Sequence, residues 1–222
     1  MMKSYINLLL FFISSSRILV SSENCRVDSF KIEPDFDIRK FLGLWYHVTT
    51  LRDPNNEETF SDMKYNLKLN DNGSTTMLIA YRAPGDSQCT VYSNLLSSTK
   101  IPGKMQQMDI VNDDIMNFWV VKTNYVSYAV IYGCIHEELY GNNCSDARAE
   151  VLSRKPSLPD RLQTTVNSSI RSVCVNLADF KTIPQNNMCQ FPDTLSPGNM
   201  AISAEGGVLF VASFVLSLRL FT

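Results

Sequence analysis

Six cysteines and two histidines are the residues of this chain best suited to chemistry, and their spacing narrows what that chemistry is. The cysteines stand at 25, 89, 134, 144, 174 and 189, with no Cys-x-x-Cys pair among them. His47 and His136 fall in no metal-ligand spacing, so no metal site is expected. No Gly-x-Ser-x-Gly elbow, P-loop or dinucleotide fingerprint appears, and no cofactor is implied. Six cysteines admit fifteen pairings, and spacing alone does not choose among them. Cys134 and Cys144 bracket the turn Gly141-Asn-Asn143 and need little chain movement to meet. A second pair of reactive types is Arg148 and Glu150, which share one parity of an apolar stretch. Charges are not buried cheaply, so the two would pair, meet water or hold a ligand head group. A local register slip would turn both outward and leave Ala147, Ala149 and Val151 inside.

The chain that must position these groups has 222 residues, 45% of them apolar, and a formal net charge of −2. With 20 basic against 22 acidic side chains it has no electrostatic footprint for nucleic acid. Residues 1–22 combine Lys3, an apolar run from Tyr5 to Ile13 and a small-residue end at Ser22, the pattern of a signal peptide. Arg17 argues against the alternative, a short membrane anchor. Export would place the cysteines where thiols oxidise to disulfides. Residues 191–222 are a linker and an apolar tail, read as a GPI-attachment signal with Asn199 as acceptor and Ala201 as the required small residue. A single membrane span and a functionless tail are the alternatives, and Arg219 departs from the pattern. The folded domain is therefore expected over residues 23–190.

Within it, eight short segments rich in aromatic and β-branched residues start at Gly43, Met63, Ser74, Cys89, Met105, Phe118, Tyr128 and Ala147. Turn signals such as Asn70-Asp-Asn-Gly73, Pro84-Gly85 and Pro102-Gly103 separate them. The pattern predicts an all-β fold, an eight-stranded antiparallel up-and-down barrel, because closure removes exposed edges. After Pro159 the apolar period changes, and Leu162, Val166, Ile170 and Val173 predict one C-terminal α-helix packed outside. Such a barrel either fills with side chains or holds one small ligand.

Three segments give the chain a family resemblance. Gly43-Leu-Trp45-Tyr46 resembles the first lipocalin signature, Thr123-Asn-Tyr125 the second with Asn124 in place of the usual aspartate, and Arg154 the third. The cysteine positions, and Asn24-Cys25-Arg26-Val27 opening the domain, resemble the plasma retinol-binding branch. That resemblance implies Cys25 with Cys174, Cys89 with Cys189 and Cys134 with Cys144, which leaves no thiolate for enzymatic work. It also implies structural roles for Trp45 as a plug and for Arg154 across its ring.

Strand alternation nominates the lining. Tyr65 and Leu67 go inward with Met63, as do Met77 and Ile79, Tyr92 and Leu96, and from later strands Phe118, Val120 and Ile131. Tyr65, Met77 and Ile79 stand where the retinol carriers have small alanines, so the resemblance implies a reduced cavity. Arg148 and Glu150 complete the expected ligand-binding set, and His47 could approach the cavity by parity with Trp45. The expected function is extracellular binding and transport of a small hydrophobic or amphiphilic ligand, such as retinol, another retinoid or a fatty acid, without catalysis. A tethered barrel also resembles the apolipoprotein D and Lazarillo branch, which implies the alternative of a GPI-anchored surface lipocalin whose partner is a receptor or carrier protein. Asn72-Gly-Ser and Asn167-Ser-Ser are glycosylation sequons.

Overall fold

The computed structural model describes residues 26–51, 60–109, 114–134, 144, 147–186 and 188–192. The expected signal, Cys25, His136 and the expected GPI site at Asn199 lie outside the described residues. A short helix α1 (Ile38–Phe41) leads into β1 (Gly43–Leu51), β2 (Ser61–Leu69), β3 (Thr75–Arg82), β4 (Thr90–Ser98), β5 (Lys104–Asp109), β6 (Asp114–Thr123), β7 (Tyr128–Cys134) and β8 (Ala147–Ser153). Helix α2 (Gln163–Arg171) and a ninth strand β9 (Phe180–Thr182), which the sequence pattern did not predict, follow. Neighbouring strands pair antiparallel in chain order, and β1 pairs with both β8 and β2, which closes the barrel.

Alternation divides the side chains into two cores. Trp45, Tyr65, Leu67, Met77, Ile79, Leu96, Met105, Phe118, Val120, Ile131 and Leu152 form one cluster within the barrel. Val48, Trp119, Val130, Tyr132 and Val151 point the other way and pack beneath Val166, Ile170 and Val173 of the α2 region. The helix thus covers one outer wall, as its period requires. Val151 belongs to this outer core, so β8 keeps the register that turns Glu150 and Leu152 inward.

One end of the barrel is sealed by a single guanidinium. Trp45 is fully buried and its indole donates to the Phe41 carbonyl at 2.8 Å. Arg154 lies 3.6 Å from the centroid of that indole. It also donates to the carbonyls of Leu44 (2.7 Å), Leu42 (2.9 Å) and Tyr125 (3.0 Å), with longer contacts to Lys40 and Phe41. The carbonyls of Lys40, Phe41 and Leu42 lie at the end of α1, where helical donors run out, so the cation supplies what the backbone lacks there. Gly43 carries φ +90°, and a Cβ there would come within 3.5 Å of Arg154 Nη1. That distance is ordinary van der Waals contact, so glycine is required here by the backbone conformation and not by the approach of the arginine. Asn124 does the work of the usual aspartate in the β6–β7 turn: its Oδ1 accepts from the amides of Ser127 (2.8 Å) and Tyr128 (3.2 Å).

The other end is held by a strap. β1 pairs with β2 only over Gly43–Tyr46, and beyond that point the same edge pairs with β9 over Thr49–Leu51. Residues 183–186 then run along the seam where β1 and β2 part. The Ile183 amide donates to the Val48 carbonyl, and the Asp62 amide to the Pro184 carbonyl. Gln185 Nε2 donates to the carbonyls of both His47 (2.8 Å) and Met63 (3.2 Å). Asp62 is fully buried with φ +56°, pairs with Arg82 at 3.2 Å, and accepts from the Asn186 amide. Cys89 is bonded to Cys189 across a separation of 100 residues, and Cys134 to Cys144. Cys174 is also disulfide-bonded. Closing a loop of that length contributes roughly 4 to 5 kcal/mol in the chain-entropy model.

Replacing Arg154 with Ala removes charge-assisted bonds from several partly buried carbonyls, together with its packing on Trp45, and is expected to cost about 2 to 4 kcal/mol. Arg154→Lys is expected to recover less than half of that loss, since an ammonium cannot span the fork of acceptors. Urea unfolding midpoints of the three proteins check both statements.

Candidate functional site

The inward face is graded along the barrel axis. Because strand direction alternates, Trp45, Leu67, Met77, Leu96, Met105 and Leu152 lie toward the sealed end and are all at most 3% exposed. Tyr65, Ile79, Phe118 and Ile131 form the next level, also buried. Toward the open end the inward parity passes to Met63, Tyr81, Tyr92 and Glu150, which are half-buried, and to Arg148, which is exposed. The deep part is thus mostly apolar, while charged and hydroxyl groups collect toward the open end.

The structure brings three polar side chains of adjacent strands β8, β1 and β2 together. Tyr65 donates its hydroxyl hydrogen to Glu150 Oε2 at 2.9 Å. His47 Nδ1 lies 3.4 Å from the Tyr65 hydroxyl, 3.1 Å from Met63 Sδ and 4.0 Å from Glu150 Oε2. Burial and then the Glu150 charge raise the Tyr65 phenol well above its ordinary pKa, which keeps the donor protonated. Burial pulls the His47 imidazole below its ordinary value of 6.5, with Glu150 opposing. His47 is only 2% exposed, so the neutral ring is the form the barrel admits.

On β4 and β5, Asn94 is 1% exposed and pairs in register with Asp109, so both project inward with Gln107 and Met105. The Tyr92 phenol is pushed up by burial first, and then by Tyr81, Asp109 and Glu150, while Arg148 acts in the opposite sense. One hydroxyl therefore senses charges from both groups of strands. Two buried polar atoms of this interior, Asn94 Oδ1 and His47 Nε2, have no hydrogen-bond partner among the described residues. No ion pair joins Arg148 to Glu150 among the described residues; Glu150 is engaged by tyrosine instead.

All ten sequence-nominated lining residues have inward parity, but they are not equivalent. Leu67, Met77, Ile79, Leu96, Phe118 and Ile131 make the apolar body, whereas Tyr65, Tyr92, Arg148 and Glu150 belong to the polar level. Trp45 and Arg154 stand apart from them at the sealed end. Gln107 and Asp109 were missed, although Met105, Gln107 and Asp109 alternate in a readable pattern. Asn72 is exposed in the β2–β3 turn, and Asn167 is half-buried on α2, its Oδ1 accepting from Gln163. Among the described residues no His, Cys, Asp and Glu grouping could hold a metal ion.

A family model described as lipocalin / cytosolic fatty-acid binding protein matches residues 43–187. Chicken (Gallus gallus) retinol-binding protein 4 is 27% identical over 194 residues, covering 82% of this chain and 94% of its own length. Mouse (Mus musculus) apolipoprotein D is 23% identical over 72% of this chain and 82% of its own length. Among solved structures, apocrustacyanin C1 superposes with a TM-score of 0.58 at 16% identity, covering 69% of this chain and 82% of that one.

The sign of the His47 shift sets a pH dependence. The unfolded imidazole takes up its proton near pH 6.5 and the folded one resists it, so stability falls as pH drops below that value. Urea midpoints measured from about pH 7.5 to about pH 5.5 are expected to decline, and to decline less in His47→Gln.

Proposed function

Because this chain belongs to the lipocalin / cytosolic fatty-acid binding protein family, we propose that it is an extracellular carrier that takes one small hydrophobic or amphiphilic molecule into the barrel and releases it unchanged. The observation that carries this reading is the grading of the inward face, from a sealed apolar base to a polar level open to water. Burying apolar ligand surface against such a base contributes about 25 cal/mol per Å² before ordering costs, enough for micromolar affinity from a chain of ten or so carbons. The polar level then orients the guest with its head toward solvent. The names of the similar proteins, one of them a retinol-binding protein, support a ligand of this size and polarity. The disulfides suit an oxidising, extracellular setting.

Titration with retinol and with a fluorescent fatty acid is expected to give saturable, one-to-one binding. Mass spectrometry of organic extracts from protein secreted by eukaryotic cells should recover a bound small molecule. A flat titration with both probes, together with an empty extract, would overturn the carrier reading.

The apolar run that ends the sequence favours a second property, attachment to the outer cell surface through a GPI anchor at Asn199, with glycans at Asn72 and Asn167. A tethered barrel could then serve chiefly by binding a surface partner. Phosphatidylinositol-specific phospholipase C is expected to release the protein from intact cells; retention after treatment would refute the anchor.

A further inference from the structure

The sealed end of the barrel has an outer surface of its own, built from α1, the start of β1, the β4–β5 and β6–β7 turns and the segment after β8. Three apolar side chains meet water there: Leu44 at the start of β1 is 37% exposed, Ile101 of the β4–β5 turn 52% and Val126 of the β6–β7 turn 74%. The surface is continuous. Arg154 gathers the carbonyls of Lys40, Leu44 and Tyr125 on one guanidinium, Lys40 Nζ lies 5.8 Å from the Tyr125 ring centroid, and the Phe36 and Tyr125 rings stack at 6.0 Å. Phe36 and Ile38 in turn line one cleft with Ile101 and Lys104. Arg39, Lys40, Lys100 and Lys155 stand exposed on this face, and among the described residues no ion pair engages Arg39, Lys100 or Lys155. Its carboxylates are fewer and mostly occupied. Asp37 accepts from the Arg39 amide at 3.0 Å and lies 3.8 Å from Lys40 Nζ, Glu33 pairs with Lys122 at 3.2 Å, and Asp35 is exposed. The opposite end differs in sign: by sequence, the stretches 52–60 and 135–146 that connect strands there hold Asp53, Glu57, Glu58, Glu137, Glu138 and Asp146 against Arg52.

We infer that the sealed end docks on a bilayer surface containing anionic phospholipid, with Ile101 and Val126 entering the interface and Arg39, Lys40, Lys100 and Lys155 at the level of the phosphates. Exposed apolar side chains set among cations match a boundary where hydrocarbon lies just beneath negative charge. Each lysine or arginine near such a leaflet raises partitioning about fivefold, and long stems let the charged heads reach phosphate while the apolar tips go deeper. A soluble polyanion would use the cations and leave the apolar tips in water. A neutral apolar partner would leave the cations unpaired. The bilayer uses both. The β2–β3 turn of the same end carries the Asn72 sequon, and a glycan there would hold that sector off a lipid surface. The docking sector therefore runs from α1 to the β4–β5 and β6–β7 turns and leaves Leu69 outside it. In this pose the mouth faces away from the membrane, toward the aqueous phase. The inference is independent of the carrier reading, and it concerns the chain free of a tether, since a chain held from its C-terminal side presents its rim instead.

Cosedimentation of the secreted or phospholipase-released protein with vesicles tests this, using phosphatidylcholine alone and phosphatidylcholine with about 30% phosphatidylserine. The phosphatidylserine vesicles are expected to bind about tenfold or more tightly at about 0.1 M salt, and the difference should shrink at about 0.5 M. Lys100→Gln combined with Lys155→Gln should weaken that binding about tenfold or more. Ile101→Ser combined with Val126→Ser should weaken it about fivefold or more. All four positions are exposed, so the folded barrel tolerates the changes, and an unaltered near-ultraviolet circular dichroism spectrum checks this. No binding to phosphatidylserine vesicles overturns the inference, as does equal affinity for both compositions or undiminished affinity in the lysine pair. Weakening by the lysine pair but not by the apolar pair overturns it too, because it assigns the face to a soluble polyanion.

Discussion

The arginine that closes the base is the constraint on which the rest of the barrel depends. A short helix must cross the end of the sheet to cap it, and its last carbonyls then point inward with no backbone donor. Arg154 resolves this by reaching Leu42 just past the helix, and with the same planar group Leu44 of β1 and Tyr125 of the β6–β7 turn, while lying on the Trp45 ring. The same guanidinium joins α1 and β1 to the β6–β7 turn, which is distant from them in sequence. With the base sealed and its cost met locally, the levels above it can be given to other purposes.

Those levels show how much polarity a barrel of this size tolerates. His47, Tyr65, Asn94 and Glu150 lie among apolar residues, and removal from water penalises each. Tyrosine and glutamate satisfy one another, and histidine stays neutral beside them. Among the described residues Asn94 Oδ1 on the opposite strands, like His47 Nε2, is buried without a hydrogen-bond partner. A core selected only for stability would replace such a group with leucine.

Much of the architecture was legible because strands alternate. The inward set from Tyr65 to Ile131 follows from parity, and so does the outer set under α2. The lipocalin signatures located the base, including the arginine, before any geometry was available. The engagement of Glu150 was not legible: parity puts Arg148 and Glu150 on one face, but only the packing of β8, β1 and β2 gives the carboxylate to Tyr65 and leaves Arg148 in water. β9 and the strap escaped for a different reason. Residues 180–189 have little apolar periodicity, and the placement of 180–186 comes from backbone groups of β1 and β2 and from Asp62, whose unusual backbone conformation no local pattern announces.

The strap also determines how the molecule bears tension. It is tied by the Cys89–Cys189 bond, close to where β4 begins. Force applied from the C-terminal side reaches a covalent bond before it reaches the hydrogen bonds of the β1–β2 seam. The load passes into β4, inside the sheet, and bypasses the strap's weaker grip on Val48, Met63 and Asp62. A barrel hung from this end would therefore keep its seam shut under shear, and its rim would stay on the same side as whatever holds it.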